Sequence, residues 1–123
     1  MGAVLLRQDG SPVCERCLLA ETPLTRLKGL LGRRGLEQGE GLLLRPAASI
    51  HTFFMRFPID AVFLDRELRV VKMAPELKPW RMAGARGAKN VLEIAAGEAA
   101  RRGLRVGQTL VLAEEERDET ARG

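Results

Sequence analysis

The residues best equipped for chemistry crowd into one stretch, Ser49-Ile50-His51-Thr52-Phe53-Phe54-Met55-Arg56-Phe57-Pro58-Ile59-Asp60. It holds the one histidine of the chain, three of its four phenylalanines, an arginine and an aspartate. A few polar groups set among large apolar ones is the make-up of a small-molecule pocket. It is equally the make-up of a core strand whose polar groups are satisfied. The imidazole of His51 suits a general base, a metal ligand or a hydrogen-bond anchor. In an extended segment His51 shares a face with Phe53, Met55 and Phe57, while Thr52 lies opposite with Phe54 and Arg56. In a bent one His51, Thr52 and Arg56 converge.

Two acids and an indole extend the candidate set. Asp60 follows Pro58, begins a strand and shares the inward face of Val62 and Leu64. Buried there, its carboxylate needs a partner, with Arg56 or nearby backbone N–H groups available. It either anchors the Pro58 turn or takes part in ligand binding or acid/base work. Glu93 alternates with Val91 and Ala95 on a second apolar strand, and a carboxylate pair with Asp60 would serve acid/base chemistry. Trp80 lies in Lys78-Pro79-Trp80-Arg81, a loop with two cations, where an indole suits sugars, bases or a protein partner, or plugs a barrel end. The two cysteines form one C-x-x-C, Cys14 and Cys17. A zinc site needs four ligands, and no metal or cofactor signature is present. On a strand these thiols point to opposite faces, which favours two small half-buried side chains over redox or metal use. Gly84-Ala85-Arg86-Gly87-Ala88-Lys89 lacks phosphate-loop spacing, and no nucleophile elbow occurs.

The elements that must position these groups are mostly strands. Ala3 to Arg7 and Val13 to Ala20, joined by the turn residues Asp9-Gly10-Ser11-Pro12, read as a hairpin. Thr22-Pro23 opens a helix to about Leu31, with Leu24, Leu27, Leu30 and Leu31 on one apolar face and Gly32 and Gly35 ending it. Leu42–Leu44, Ile59–Leu64, Leu68–Met73, Asn90–Ala95 and Leu110–Ala113 are further strands; Pro75–Arg86 reads as irregular and Gly97–Arg102 as one helical turn. The pattern predicts an α+β domain: a small, strand-rich curled sheet or partly closed β-barrel, with one main helix covering one end.

One domain is expected over residues 1–113, followed by an acidic, disordered tail over 114–123. That tail carries five acids and two arginines; removing its net −3 from the +4 of the chain leaves a body at +7. A basic body attracts anions, but with no tyrosine and one tryptophan the supply of stacking rings is thin, which disfavours nucleic acid as a partner. No apolar run approaches the roughly 20 residues that span a bilayer, so no membrane partner is expected. The start of the chain reads as a strand rather than an export signal, and a cytoplasmic location is expected.

The run from His51 to Asp65 resembles the core signature of the domain of unknown function 192 (DUF192) family. Gly29-Leu30-Leu31-Gly32-Arg33 is similar to its helix-ending motif, Gly41-Leu42-Leu43-Leu44 to the strand that follows, and Val91-Leu92-Glu93-Ile94-Ala95-Ala96-Gly97 to its late Leu-Glu-Leu-x-x-Gly segment. The match runs from about Leu18 to Leu112. A sister branch has Trp-Met-Lys-Asn-Thr where this chain has Phe54-Met55-Arg56-Phe57-Pro58. The resemblance implies a compact α+β domain and no settled activity; many relatives look exported. The leading expectation is a domain that binds a small polar or anionic ligand, or a protein segment, in a cleft lined by His51, Thr52, Arg56, Asp60 and Trp80. The alternatives are a metal-independent hydrolase or lyase using His51 with Asp60 or Glu93, and nucleic-acid binding through the basic body.

Overall fold

The computed structural model describes residues 2–114 of the chain. Nine strands and two short helices follow one another: β1 (Gly2–Arg7), β2 (Pro12–Ala20), α1 (Pro23–Lys28), β3 (Glu40–Leu44), β4 (Ser49–His51), β5 (Ile59–Leu64), β6 (Val70–Leu77), β7 (Met82–Gly84), β8 (Asn90–Ala95), α2 (Glu98–Arg101) and β9 (Leu110–Glu114). Seven strands form one sheet in the order β6-β5-β8-β3-β2-β1-β9, and β4 pairs with β7 as a separate ribbon. All pairs are antiparallel except β2 with β3, which are joined by the crossover carrying α1. The sheet curls until its edges meet at one end. There Arg69 bridges Thr109, Val70 N–H donates to Gln108 O and Leu110 N–H donates to Leu68 O, both at 2.8 Å. The result is the α+β, partly closed barrel that the strand pattern predicts.

Two cores lie on the two faces of this sheet. The barrel interior holds Leu5, Val13, Leu43, Val62, Leu92 and Leu110, with Ala99 of α2 packed in beside them. The outer face carries Leu42, Ala61, Phe63 and Val91 under Ile50 of β4, Leu30 and Met55. Strands β5 and β8 are therefore buried on both sides, which is why both read as largely apolar segments, broken only by Asp60 in β5 and by Asn90 and Glu93 in β8.

Four sequence expectations are corrected. The segment 75–86 is not irregular throughout. Strand β6 runs on to Leu77, and Met82–Gly84 is β7. β6 is an edge strand, so it tolerates Pro75, and a register shift between Ala74 and Leu77 takes up the kink. The helix ends at Gly29 rather than near Leu31. Its Thr22 capping box and Pro23 are as expected, but Leu24 and Leu27 are 76% and 70% exposed; only Leu30, beyond the helix, is buried. Finally, Cys14 and Cys17 are both fully buried and both face the barrel interior. Leu5 pairs with Cys14 and Ala3 with Cys17, so three steps along β2 match two along β1. This bulge turns Glu15 and Arg16 outward together and puts the two thiols on one face. The neighbouring Cys14 thiol, with burial, pushes the Cys17 thiol up. Of the expected disordered tail, Glu114 closes β9 and residues 115–123 lie outside the described residues.

Candidate functional site

The six predicted residues separate into three groups. Thr52 and Asp60 are fully engaged in holding the fold. Thr52 is 0% exposed; its hydroxyl donates to Lys78 O at 2.6 Å and accepts from Arg81 N–H at 2.9 Å. Its backbone carbonyl also accepts from Trp80 N–H and Met55 N–H. It thus clamps the 78–81 loop onto the 51–55 turn. Asp60 faces the barrel interior with Val62 and Leu64, as its period predicts. One carboxylate oxygen accepts from Glu76 N–H at 2.7 Å, within the kink of β6, and the other from Ala99 N–H at 2.8 Å, in α2. Backbone amides, not Arg56, are its partners.

His51, Phe53, Phe54 and Trp80 make a surface cluster. The His51 ring lies 4.9 Å from that of Phe53; Phe53 and Trp80 stack at 5.8 Å, and Phe54 tilts against Trp80 at 4.7 Å. The imidazole Nδ1 accepts from Phe53 N–H at 3.3 Å, so its other nitrogen faces outward. Arg56 is exposed nearby in sequence, on the turn into β5.

Glu93 stands apart. On β8 it pairs with Leu42 and Ala61 and points to the outer face, where α1 and β4 leave a cleft of ≈ 440 Å³ over it. It is 4% exposed and no described residue donates to its carboxylate, which is open to the cleft: among the described residues no wholly buried side-chain oxygen or nitrogen lacks a hydrogen-bond partner. Burial alone, with no partner to offset it, pushes its pKa up to about 7. Leu30, Ile50 and Met55 line the cleft with apolar surface, and Arg26, Lys28 and His51 bring polar groups to it. Arg26 is fixed there by donating to Glu21 O and Arg45 O at 3.1 and 3.2 Å.

Sequence reasoning put His51 in its expected cleft and named Glu93 only as a separate candidate, and it named neither Arg26 nor Lys28. Both arrive on a crossover whose landing place has no local signal. The suggested carboxylate pair does not form. Asp60 and Glu93 sit on neighbouring strands, but their Cα partners are one residue out of step, so one points into the barrel and the other away from it. Of the six candidate residues, the structure brings His51 and Glu93 to one opening; Thr52, Arg56, Asp60 and Trp80 are not among its lining. A second cleft of ≈ 490 Å³ runs beside Cys17, but its polar walls, Glu40 and Arg33, are already bonded to each other. Among the described residues no group of three or more His, Cys, Asp and Glu is placed to hold a metal ion. No helix among them is long and apolar enough to cross a membrane.

A partly closed barrel with an acid-floored cleft on its outer face is the class of domain these features define. The chain belongs to the DUF192 family, an uncharacterised family whose model matches residues 4–112. It is 34% identical over 87 residues to a UPF0127 protein of Thermococcus sibiricus, and 57% identical over 35 residues to one of Pyrococcus horikoshii. Those matches take in 67% and 28% of this chain, and they span only 56% and 30% of the two relatives. Among solved structures, a Novosphingobium aromaticivorans protein of unknown function superposes with a TM-score of 0.78 at 28% identity, covering 90% of this chain and 84% of the other.

Proposed function

We propose that this domain binds a small ligand in the Glu93 cleft. The ligand places a hydrogen-bond donor, an amine or amide N–H, against the carboxylate and an apolar portion against Leu30, Ile50 and Met55. The observation that carries this reading is an unpartnered carboxylate, almost wholly buried, on the floor of an open cleft. Such a group lowers stability unless something completes it. An anion drawn in by the basic body would meet that carboxylate on the floor, so a donor ligand is favoured over an anionic one. The test is a thermal-shift screen of primary amines and amides against the unmodified protein and Glu93→Leu. At a hundred times its Kd a true ligand stabilises by about 2.7 kcal/mol, and the shift should vanish in the variant. A screen without shifts, or shifts that persist in Glu93→Leu, would remove this reading.

The same carboxylate supports a second reading, a hydrolase or lyase with Glu93 as the acid/base group and His51 at the edge of the cleft. A pKa near the working pH suits such a role. Asp60, with both oxygens engaged, is not available as the acid. Turnover of an ester or amide panel that is lost in Glu93→Gln, with the fold intact, would favour this over simple binding.

A further inference from the structure

The surface cluster meets the cleft at His51, but Phe53, Phe54 and Trp80 have a composition and a conformation that the Glu93 reading does not use. The four rings of His51, Phe53, Trp80 and Phe54 come from two segments distant in the chain, 51–54 and the 78–81 loop, and form one continuous row. Phe54 and Trp80, 71% and 56% exposed, both adopt a left-handed backbone, φ 67° in each case. That conformation is rare for bulky side chains and costs free energy. The fold holds it through Thr52, whose buried hydroxyl and carbonyl fasten both loops. Two rings are thus kept rigid and uncovered, where a collapsed loop would hide them.

The segments that carry the row are rich in cations. Residues 41–59 and 77–90 contain no Asp or Glu, while Arg56, Lys78, Arg81, Arg86 and Lys89 are all exposed. Arg81 is drawn to the backbone of Trp80, its guanidinium donating to Pro79 O and Trp80 O at 3.4 Å. The cross-strand pair His51 and Met82 continues the outward face of the β4–β7 ribbon, with Met82 72% exposed.

We propose that this ribbon and its loops bind single-stranded nucleic acid, with Trp80 and Phe54 stacking on bases and the surrounding cations on phosphates. Exposed rings flanked by exposed cations is the arrangement such ligands need. The sequence alone argues against it because rings are few; the fold compensates by collecting four of them in one place.

Trp80 is the only tryptophan, so its fluorescence reports on the row directly. Oligo(dT) and oligo(U) are titrated into the protein, reading Trp80 emission and, with labelled oligonucleotide, anisotropy. Binding should quench Trp80 and weaken with salt, the log–log slope lying near −2 to −3, or about −0.7 per phosphate engaged. Trp80→Ala and Phe54→Ala should each weaken binding at least about fivefold, and Trp80→Phe much less. Arg81→Ala should flatten the slope by about 0.7. Glu93→Gln should leave binding unchanged, which separates this surface from the cleft. No quenching and no anisotropy change at low salt would overturn the proposal. So would salt-sensitive binding that Trp80→Ala leaves intact, which is attraction to the basic body in general. Equal binding of poly-glutamate, competing for the same site, would also overturn it and assign the surface to an acidic polypeptide.

Discussion

Asp60 and Glu93 are near neighbours with similar burial and opposite circumstances, and substitutions should tell them apart. The Asp60 carboxylate receives two backbone N–H groups from different elements. In Asp60→Asn one of those donors faces an amide NH₂ instead of an oxygen, and stability should fall by about 1–3 kcal/mol, read as a lower denaturant midpoint at unchanged m. For Glu93 the expectation reverses. Its folded pKa of about 7 lies above the ordinary 4.5, so the folded chain holds the proton more tightly than the unfolded one. Folding therefore takes up a proton between those values, and stability declines as pH rises through that window. Glu93→Gln keeps the shape and removes the charge. It should match the parent below pH 4.5 and exceed it above pH 7, by on the order of 3 kcal/mol at full ionisation. Urea melts of both proteins across that range check it; equal stability at every pH would mean that the carboxylate is not desolvated.

Among the elements, β2 and β3 show the tightest fit. Gly41 lies opposite Cys17, and a Cβ there would stand 2.7 Å from Cys14 Sγ and 2.9 Å from Ile94 Cγ2. Gly41→Ala should cost about 1–3 kcal/mol through overpacking, visible as a lowered Tm. How legible each element is follows from how local its cause is. Strands β5 and β8 are readable to the residue because burial on both faces makes them largely apolar runs. The three residues of β7 carry no such run, and what makes them a strand is β4, some thirty positions earlier. The β2 bulge is likewise invisible in Cys14-Glu15-Arg16-Cys17, because the missing step belongs to β1. The helix opens on local chemistry, Thr22 and Pro23, and so is readable at its start. Its expected apolar face is not realised because Leu24 and Leu27 find no partner surface among the described residues. The cleft follows the same rule: an acid on an apolar strand marks Glu93, but nothing local shows that α1 stops short and leaves it uncovered.

At the scale of the whole molecule, closure at one end ties the first and last parts of the chain together. β9 borders β1, and the residues leading into it bridge those leading into β6. β6 is left free along the rest of its length, where Pro75 and the kink beside it discourage pairing with another sheet. With β3, β5 and β8 shared between two cores, neither core can come apart alone, and unfolding should be a single cooperative event. The bulge in β2 then gives the protein a built-in gauge of its own breathing. Because it turns both thiols inward, a reagent such as iodoacetamide can reach Cys14 or Cys17 only when the barrel opens. The two should be alkylated together, at one rate that climbs with urea in step with the open population. If one thiol were labelled quickly in native buffer while its neighbour stayed silent, the seam between β1 and β2 would be opening independently of the rest.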